Sequence, residues 1–230
     1  MSCFLSNSSL GKKLVMSVTG MFLVLFILFH MSMNITAIIS PEAYNMICEL
    51  LGANWYALAG TAVLALGVFV HFFYAVILTL NNYKARGSQR YAVTVQEPGV
   101  AWASKNMLVL GFIILGGLLI HLFNFWYNMM FAELTGMEMA HDPADGFAYI
   151  QDTFANPLYV VLYIVWLVAI WFHLSHGFWS AMQTFGWNGK VWFNRWKVIG
   201  IVYTTLLMLG FLVVVLAFAF NIAPSLNCCY

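Results

Sequence analysis

Long apolar runs alternate with short polar connections along the whole of this chain. Five runs reach the roughly 20 residues that a membrane-spanning helix needs, and they cover about 14–39, 56–80, 106–131, 158–184 and 198–222. Strands of a membrane barrel would be shorter and would alternate in polarity. The pattern therefore predicts an all-α integral membrane bundle of five transmembrane helices. The first run is longer than the apolar core of a signal peptide, so it is predicted to remain as the first span.

The composition predicts a membrane protein with no separate soluble domain. Hydrophobic residues make up 63% of the 230 residues and charged residues 7%, against roughly 25% charged residues in soluble domains. The connections are too short to fold independently, so residues 1–230 are predicted to form one domain. The net charge of +1 and the scatter of the basic residues over three connections predict no binding to nucleic acid.

Charged residues divide between the two ends of the predicted bundle. Every basic residue lies before span one, between spans two and three, or between spans four and five: Lys12, Lys13, Lys84, Arg86, Arg90, Lys105, Lys190, Arg195 and Lys197. The other two loops carry all the acidic residues except Glu97: Glu42, Glu49, Glu133, Glu138, Asp142, Asp145 and Asp152. Because basic loops stay in the cytoplasm, the N-terminus is predicted to be cytoplasmic, on the inner side, and the C-terminus outside.

Histidine is the one ionisable residue type found deep within the spans. Counted from the outer ends of spans one and three, His30 and His121 lie 11 and 12 residues deep, or roughly 16–18 Å. From the outer ends of spans two and four, His71 and His173 each lie 16 residues deep, or about 24 Å. Equal depths predict an outer pair, His30 with His121, and an inner pair, His71 with His173.

Two facing imidazoles are the axial ligands that a low-spin haem iron takes. The pairs therefore predict two haems stacked across the membrane for electron transfer. Two other interpretations remain open: histidines that only make hydrogen bonds within the bundle, and a metal site built from all four, which the difference in depth disfavours. Small residues one turn before three of the histidines (Gly67, Gly117 and Ala169) are consistent with a macrocycle near the backbone or with ordinary helix packing.

The four cysteines, Cys3, Cys48, Cys228 and Cys229, all lie outside the spans. The sequence has no C-x-x-C-H segment, so covalent attachment of haem is not predicted. Cys48 and the C-terminal pair are predicted to share the outer side, and we expect them to be unpaired rather than joined in a disulfide.

One run in span four, His173-Leu174-Ser175-His176-Gly177-Phe178-Trp179-Ser180, is similar to a known family. Together with one deep histidine in each of the first four spans, it resembles the five-helix, di-haem cytochrome b anchor subunit of succinate dehydrogenase and fumarate reductase. The resemblance covers nearly the whole chain from Gly11. The family's ligand aligns with His173, and relatives have Asn at the place of His176, so His176 is not an obligatory ligand.

The resemblance implies a set of cofactor-binding residues. It implies two non-covalent b haems, with His30 and His121 on the distal iron and His71 and His173 on the iron nearer the cytoplasm. Near the propionates of the inner haem it places Ser17, with Lys190 as a charged partner. We expect His176 to make a polar contact there, to a propionate, a water molecule or the backbone of a neighbouring helix.

The resemblance also implies partners and a substrate. A cytoplasmic flavoprotein with FAD would interconvert succinate and fumarate, and an iron–sulfur subunit would pass electrons to this chain, the quinone-reactive subunit of the oxidoreductase. A membrane quinone, menaquinone in similar relatives, would be the other redox partner. Glu49, and after it Glu42, are candidates for proton transfer at the quinone. We expect a multi-pass protein of the bacterial inner membrane that is surrounded by lipid, and the resemblance allows a dimer of the complex.

Three alternatives of other kinds stay open. One is the quinone-reactive cytochrome b of another respiratory complex, such as a hydrogenase or a formate dehydrogenase. Another is a transporter with a histidine proton relay, although spans one to four lack the internal proline and the deep acids that this function favours. The last is an anchor without haem, which would have no reason to keep four histidines matched in depth.

Overall fold

The computed structural model of the chain describes residues 8–86 and 102–222. These residues form helices and contain no β-strand. In chain order the helices are α1 (Ser9–Ile39), α2 (Pro41–Leu50), α3 (Trp55–Arg86), α4 (Trp102–Lys105), α5 (Met107–His121), a π-helix (Leu122–Phe131), α6 (Ala132–Thr135), α7 (Gly146–Ala155), α8 (Pro157–Thr184) and α9 (Trp192–Ala219). Of the expectations above, those on Cys3, Arg90, Glu97, Cys228 and Cys229 fall outside the described residues.

Five helical segments in the described ranges are long and apolar enough to cross a membrane, which confirms the predicted fold class. They are Ser9–Ile39, Trp55–Ala85, Met107–Thr135, Pro157–Thr184 and Trp192–Ala219. The first begins five residues earlier than predicted because the Ser8 hydroxyl accepts a hydrogen bond from the Gly11 amide and caps the helix. The fifth was predicted to end at residue 222. It ends at Ala219 because the chain turns at Asn221, whose φ is +53°.

The buried core lies between α1, α8 and α9. Helices α8 and α9 share the largest interface, and α1 packs against both of them and against α3. Val24, Leu167, Leu207 and Met208 are among the residues buried there. Most other apolar side chains face outward, as a bundle in lipid requires, because hydrocarbon is as good a solvent for them as the core. The apolar window of α3 has no buried residue, so α3 lies at the edge of the bundle.

Two short helices that were not predicted, α2 and α7, pack together at one end of the bundle. The Asn45 side chain joins them, donating to Asp145 Oδ1 at 2.8 Å and accepting from the Phe147 amide at 2.9 Å. Tyr44 and Phe147 are buried beneath this pair of hydrogen bonds. The two loops predicted to be on the outer side therefore form one packed layer.

Cys48 of α2 is a free thiol within this layer. Burial raises the pKa of the Cys48 thiol to about 11. Only the thiolate reacts with alkylating reagents, and at pH 7 this thiol has roughly 300-fold less thiolate than an ordinary one of pKa about 8.5. With Cys3, Cys228 and Cys229 replaced by Ser, we expect maleimide to label Cys48 slowly in the folded protein and fast after denaturation. Met46→Cys, on the exposed face of the same helix, should react fast; equal rates at the two positions would contradict the prediction.

Span three changes from an α-helix to a π-helix directly after His121, where an uninterrupted α-helix was expected. The side chain of Asn128 donates to the backbone carbonyls of Phe123 and Asn124 at 3.0 and 2.9 Å. These hydrogen bonds join the Asn128 side chain to the backbone near the start of the π-helix. Short π segments are common at functional sites, and this one begins one residue after a member of the outer pair.

Candidate functional site

The structure brings the four deep histidines together in two pairs. In the outer pair, the ring centres of His30 on α1 and His121 on α5 lie 5.6 Å apart, with the ring planes at 85°. In the inner pair, His71 on α3 and His173 on α8 lie 6.3 Å apart at 69°. These are the pairs that equal depth predicted. The role of the four side chains as ligands stays a prediction.

The spacing within each pair fits two ligands of one metal ion. A bond from an imidazole nitrogen to a metal is about 2 Å long, so two such ligands on opposite sides hold their ring centres roughly 6 Å apart. Among the described residues, no three or more His, Cys, Asp or Glu side chains converge on a single point. The histidines thus come together in twos, the number of axial positions that a haem iron offers to side chains.

Contacts along α1 and α8 give the distance between the two pairs. Thr19 on α1 contacts His71, and His30 follows eleven residues later on the same helix, or about 16 Å along the axis. Tyr163 on α8 contacts His121 and precedes His173 by ten residues, or about 15 Å. The two helices give the same separation independently.

Aromatic side chains surround the outer pair. Phe26 stacks on His30, and Phe211 also contacts that ring, with ring centres 5.5 and 5.8 Å away. Around His121 lie Phe125, Trp166 and Tyr163. The outer pair therefore lies in an apolar and aromatic environment.

Polar groups also contact the outer pair. The Tyr163 hydroxyl lies 3.4 Å from His121 Nδ1, and the buried side chain of Asn124 donates to that hydroxyl at 3.4 Å. Asn34 lies one turn after His30, with its Nδ2 3.4 Å from His30 Nε2 and 2.8 Å from the His30 carbonyl. The sequence signal for these residues is a polar side chain inside an apolar span.

The inner pair has one histidine with a hydrogen-bond partner and one without. The Thr19 hydroxyl lies 3.2 Å from His71 Nδ1. The Nδ1 atoms of His173 and of His176, one turn further along α8, are buried and have no hydrogen-bond partner among the described residues. Buried polar atoms in native proteins usually have partners. An imidazole with an orphaned nitrogen beside a second imidazole fits a site made for a bound group.

His176 lies on the part of α8 nearer the predicted inner side. The cation near it is Lys197 and not Lys190. Its ring packs edge-on against Trp179, with ring centres 4.9 Å apart. Lys197 lies over the Trp179 ring at 5.1 Å and is close enough to His176 to interact with it electrostatically. Lys190, the predicted partner of a propionate, lies exposed in the turn between α8 and α9. Ser17, the predicted hydroxyl, is buried on α1.

The acidic candidates lie at the surface of the outer layer. Glu49 is exposed at the end of α2. Glu42 is also exposed, and the Ser40 hydroxyl that donates to it at 2.7 Å lowers the pKa of its carboxyl group. Glu133, which was not a candidate, joins two elements: its carboxylate accepts from the Ala53 amide at 2.9 Å, just before α3.

Side chains of neighbouring helices fill the space beside the small residues near the histidines. A Cβ on Gly117 would overlap the Trp166 ring, and a Cβ on Gly67 would lie 2.9 Å from the Phe22 ring. Ala169 is buried against Leu110 and its neighbours on α5. Of the two interpretations left open for these positions, the structure favours close packing of the helices.

No protein-family model, no curated protein and no solved structure matches this chain.

Proposed function

We propose that this chain is the membrane-anchor cytochrome b subunit of a succinate:quinone oxidoreductase. The observation that carries the proposal is the pairing of four half-buried histidines, one from each of four spans, at 5.6 and 6.3 Å between ring centres. In this proposal His30 and His121 hold one b haem, and His71 and His173 hold the other. When bound, haem supplies a centre that accepts and releases one electron at a time.

In this proposal the residues of the chain hold the bound group in place, keep water away from it and supply imidazole ligands. Opposed imidazoles from different helices fix a bound group between them and leave no coordination site open. The aromatic residues around the outer pair, Phe26, Phe125, Trp166 and Phe211, exclude water from it. A separation of about 15 Å between the pairs makes them consecutive sites across the membrane.

The partners in this proposal are a flavoprotein with FAD and an iron–sulfur subunit on the inner side. Support comes from the inner connection between α8 and α9. There Trp187 and Trp192 are exposed, and Arg195 lies 5.2 Å from the centre of the Trp192 ring. Exposed tryptophan and arginine are the residues most enriched at the centres of protein interfaces. The orientation belongs to the same proposal: the N-terminus inside, in a bacterial inner membrane.

The quinone, menaquinone in this proposal, would exchange electrons at the opposite end, near the outer pair. Reduction of a quinone needs protons as well as electrons, and the acids of the outer layer are the available donors. Glu49 is the candidate, since the pKa of Glu42 is lowered by its hydrogen bond to Ser40. The dicarboxylate reaction takes place in the flavoprotein and involves no residue of this chain.

A pyridine haemochrome assay on the purified chain tests the proposal. Two b haems per chain are expected, with a reduced-minus-oxidised spectrum of the low-spin type. The control is the same chain with all four paired histidines replaced by Ala, which should bind none. A well-folded wild-type chain that binds no haem, in cells that supply haem to other cytochromes, would overturn the proposal.

A further inference from the structure

A hydroxyl group on α1, that of Thr19, contacts His71 of the inner pair. The Thr19 Oγ1 atom lies 3.2 Å from His71 Nδ1, joining α1 to α3. The same oxygen lies 2.8 Å from the Val15 carbonyl and 3.1 Å from the Met16 carbonyl, both on its own helix. Thr19 therefore has three neighbours that compete for one hydroxyl proton.

Counting protons decides the direction of the hydrogen bond to His71. A hydroxyl has one proton to donate and two lone pairs. The Thr19 hydroxyl donates to the Val15 carbonyl, the nearest of the three, as is usual for threonine within a helix. With the proton used there, the 3.2 Å contact with His71 fits the opposite direction, in which His71 Nδ1 donates and Thr19 accepts.

The backbone of α1 lies close to the His71 ring. Gly20 lies against the His71 ring, and a Cβ there would be 3.1 Å from His71 Cε1. Because a neutral imidazole has one N–H, a proton on Nδ1 leaves the lone pair on Nε2.

We propose that Thr19 is a positioning residue that holds His71 as the Nδ1–H tautomer, with the Nε2 lone pair free to bind a metal. The choice of tautomer follows from the hydrogen bonds alone, and its use for haem iron rests on the proposed function. A histidine that binds a metal usually donates its other N–H to a neighbour, which fixes the ring and makes it a stronger base. His173 lacks such a partner on Nδ1 within the described part of the chain, so Thr19 acts on one ligand of the inner pair only.

The first test measures the tautomer without haem. The chain is labelled with 15N-histidine, prepared without haem in lipid bilayers and studied by solid-state NMR, and His71→Gln assigns the His71 signals. Wild type should show His71 protonated at Nδ1, and Thr19→Val should lose that preference, because valine keeps the shape and removes the acceptor. A wild-type His71 protonated at Nε2, or a tautomer that does not change in Thr19→Val, would overturn the proposal.

The second test uses the chain loaded with haem and measures midpoint potentials and haem retention. Thr19→Val should weaken retention of one haem about 10-fold to 100-fold and raise its midpoint potential, because a weaker base stabilises ferric iron less; the other haem should not change. Thr19→Ser, which keeps the hydroxyl, should restore both properties. Thr36→Val is the matched control, because Thr36 also donates to its own helix, at 2.6 Å to Met33.

The outcomes of the two tests separate the two proposals. A wild-type chain that binds no haem contradicts the proposed function, and the NMR result still decides the tautomer. A chain that binds two haems, whose potentials and retention are the same in Thr19→Val as in wild type, contradicts the role of Thr19 alone. If Thr19→Val fails to fold, Thr19→Ala provides the same comparison with a smaller side chain.

Discussion

Replacing both histidines of the inner pair, His71→Ala with His173→Ala, is expected to remove one haem from the purified chain, the same loss as either single replacement. The reason is that two ligands serve one iron, so the second replacement has nothing left to remove. Replacing one histidine from each pair, His71→Ala with His121→Ala, should remove both haems. Effects of residues that act as a unit are strongly non-additive, and haem content per chain measures this directly.

The control for this series is His176→Ala. His176 lies one turn from His173, and its Nδ1 atom is likewise buried without a hydrogen-bond partner, but no imidazole faces it among the described residues. Its replacement should leave two haems per chain. The pairing would be wrong if His71→Ala with His121→Ala lost only one haem, or if His71→Ala with His173→Ala lost two.

Gly117→Ala is expected to destabilise the bundle by about 1–3 kcal/mol, the usual effect of overpacking. A Cβ on Gly117 would overlap the Trp166 ring of α8. That ring cannot easily move, since its Nε1 donates to the Ile114 carbonyl of α5 at 2.9 Å. The two helices must therefore separate. Because Gly117 lies one turn before His121, the outer haem should also be bound more weakly than the inner one.

Gly116→Ala is the matched control, one residue away on the same helix. A Cβ there meets nothing within 4 Å, so the replacement should leave stability unchanged or raise it slightly, since alanine favours a helix more than glycine does. Unfolding in detergent, followed by circular dichroism, measures both variants. Equal stability of the two would show that α5 and α8 are not held as closely as the Trp166 contact indicates.

The depths of the histidines could be predicted from the sequence because the helix starts were easy to recognise. Trp55 and Pro157 begin α3 and α8, so sixteen residues on each helix placed His71 and His173 at one level. For His121 the count ran through the π-helix, which the sequence did not reveal. A π-helix rises less per residue than an α-helix, so the estimated depth was slightly too large, although the pair with His30 was still predicted.

The partners of the histidines could not be predicted, because they depend on how the helices rotate against one another. Thr19 reaches His71 because Gly20 lets α1 approach the ring. A threonine within an apolar run gave no sign of which neighbour it would face. The packing of α2 against α7 has the same cause, since it joins Asn45 to Asp145 across 100 residues of sequence.

The separation of the histidine pairs along α1 and α8 has an electrical consequence. The pairs lie about 15 Å apart along helices that cross the membrane, which is about half of the 30 Å hydrocarbon core. A unit charge that crosses the whole membrane gains or loses about 2.3 kcal/mol per 100 mV. A charge that moves from one pair to the other therefore does roughly half that work, about 1.2 kcal/mol per 100 mV. The transmembrane voltage thus opposes or assists every charge transferred between the two pairs.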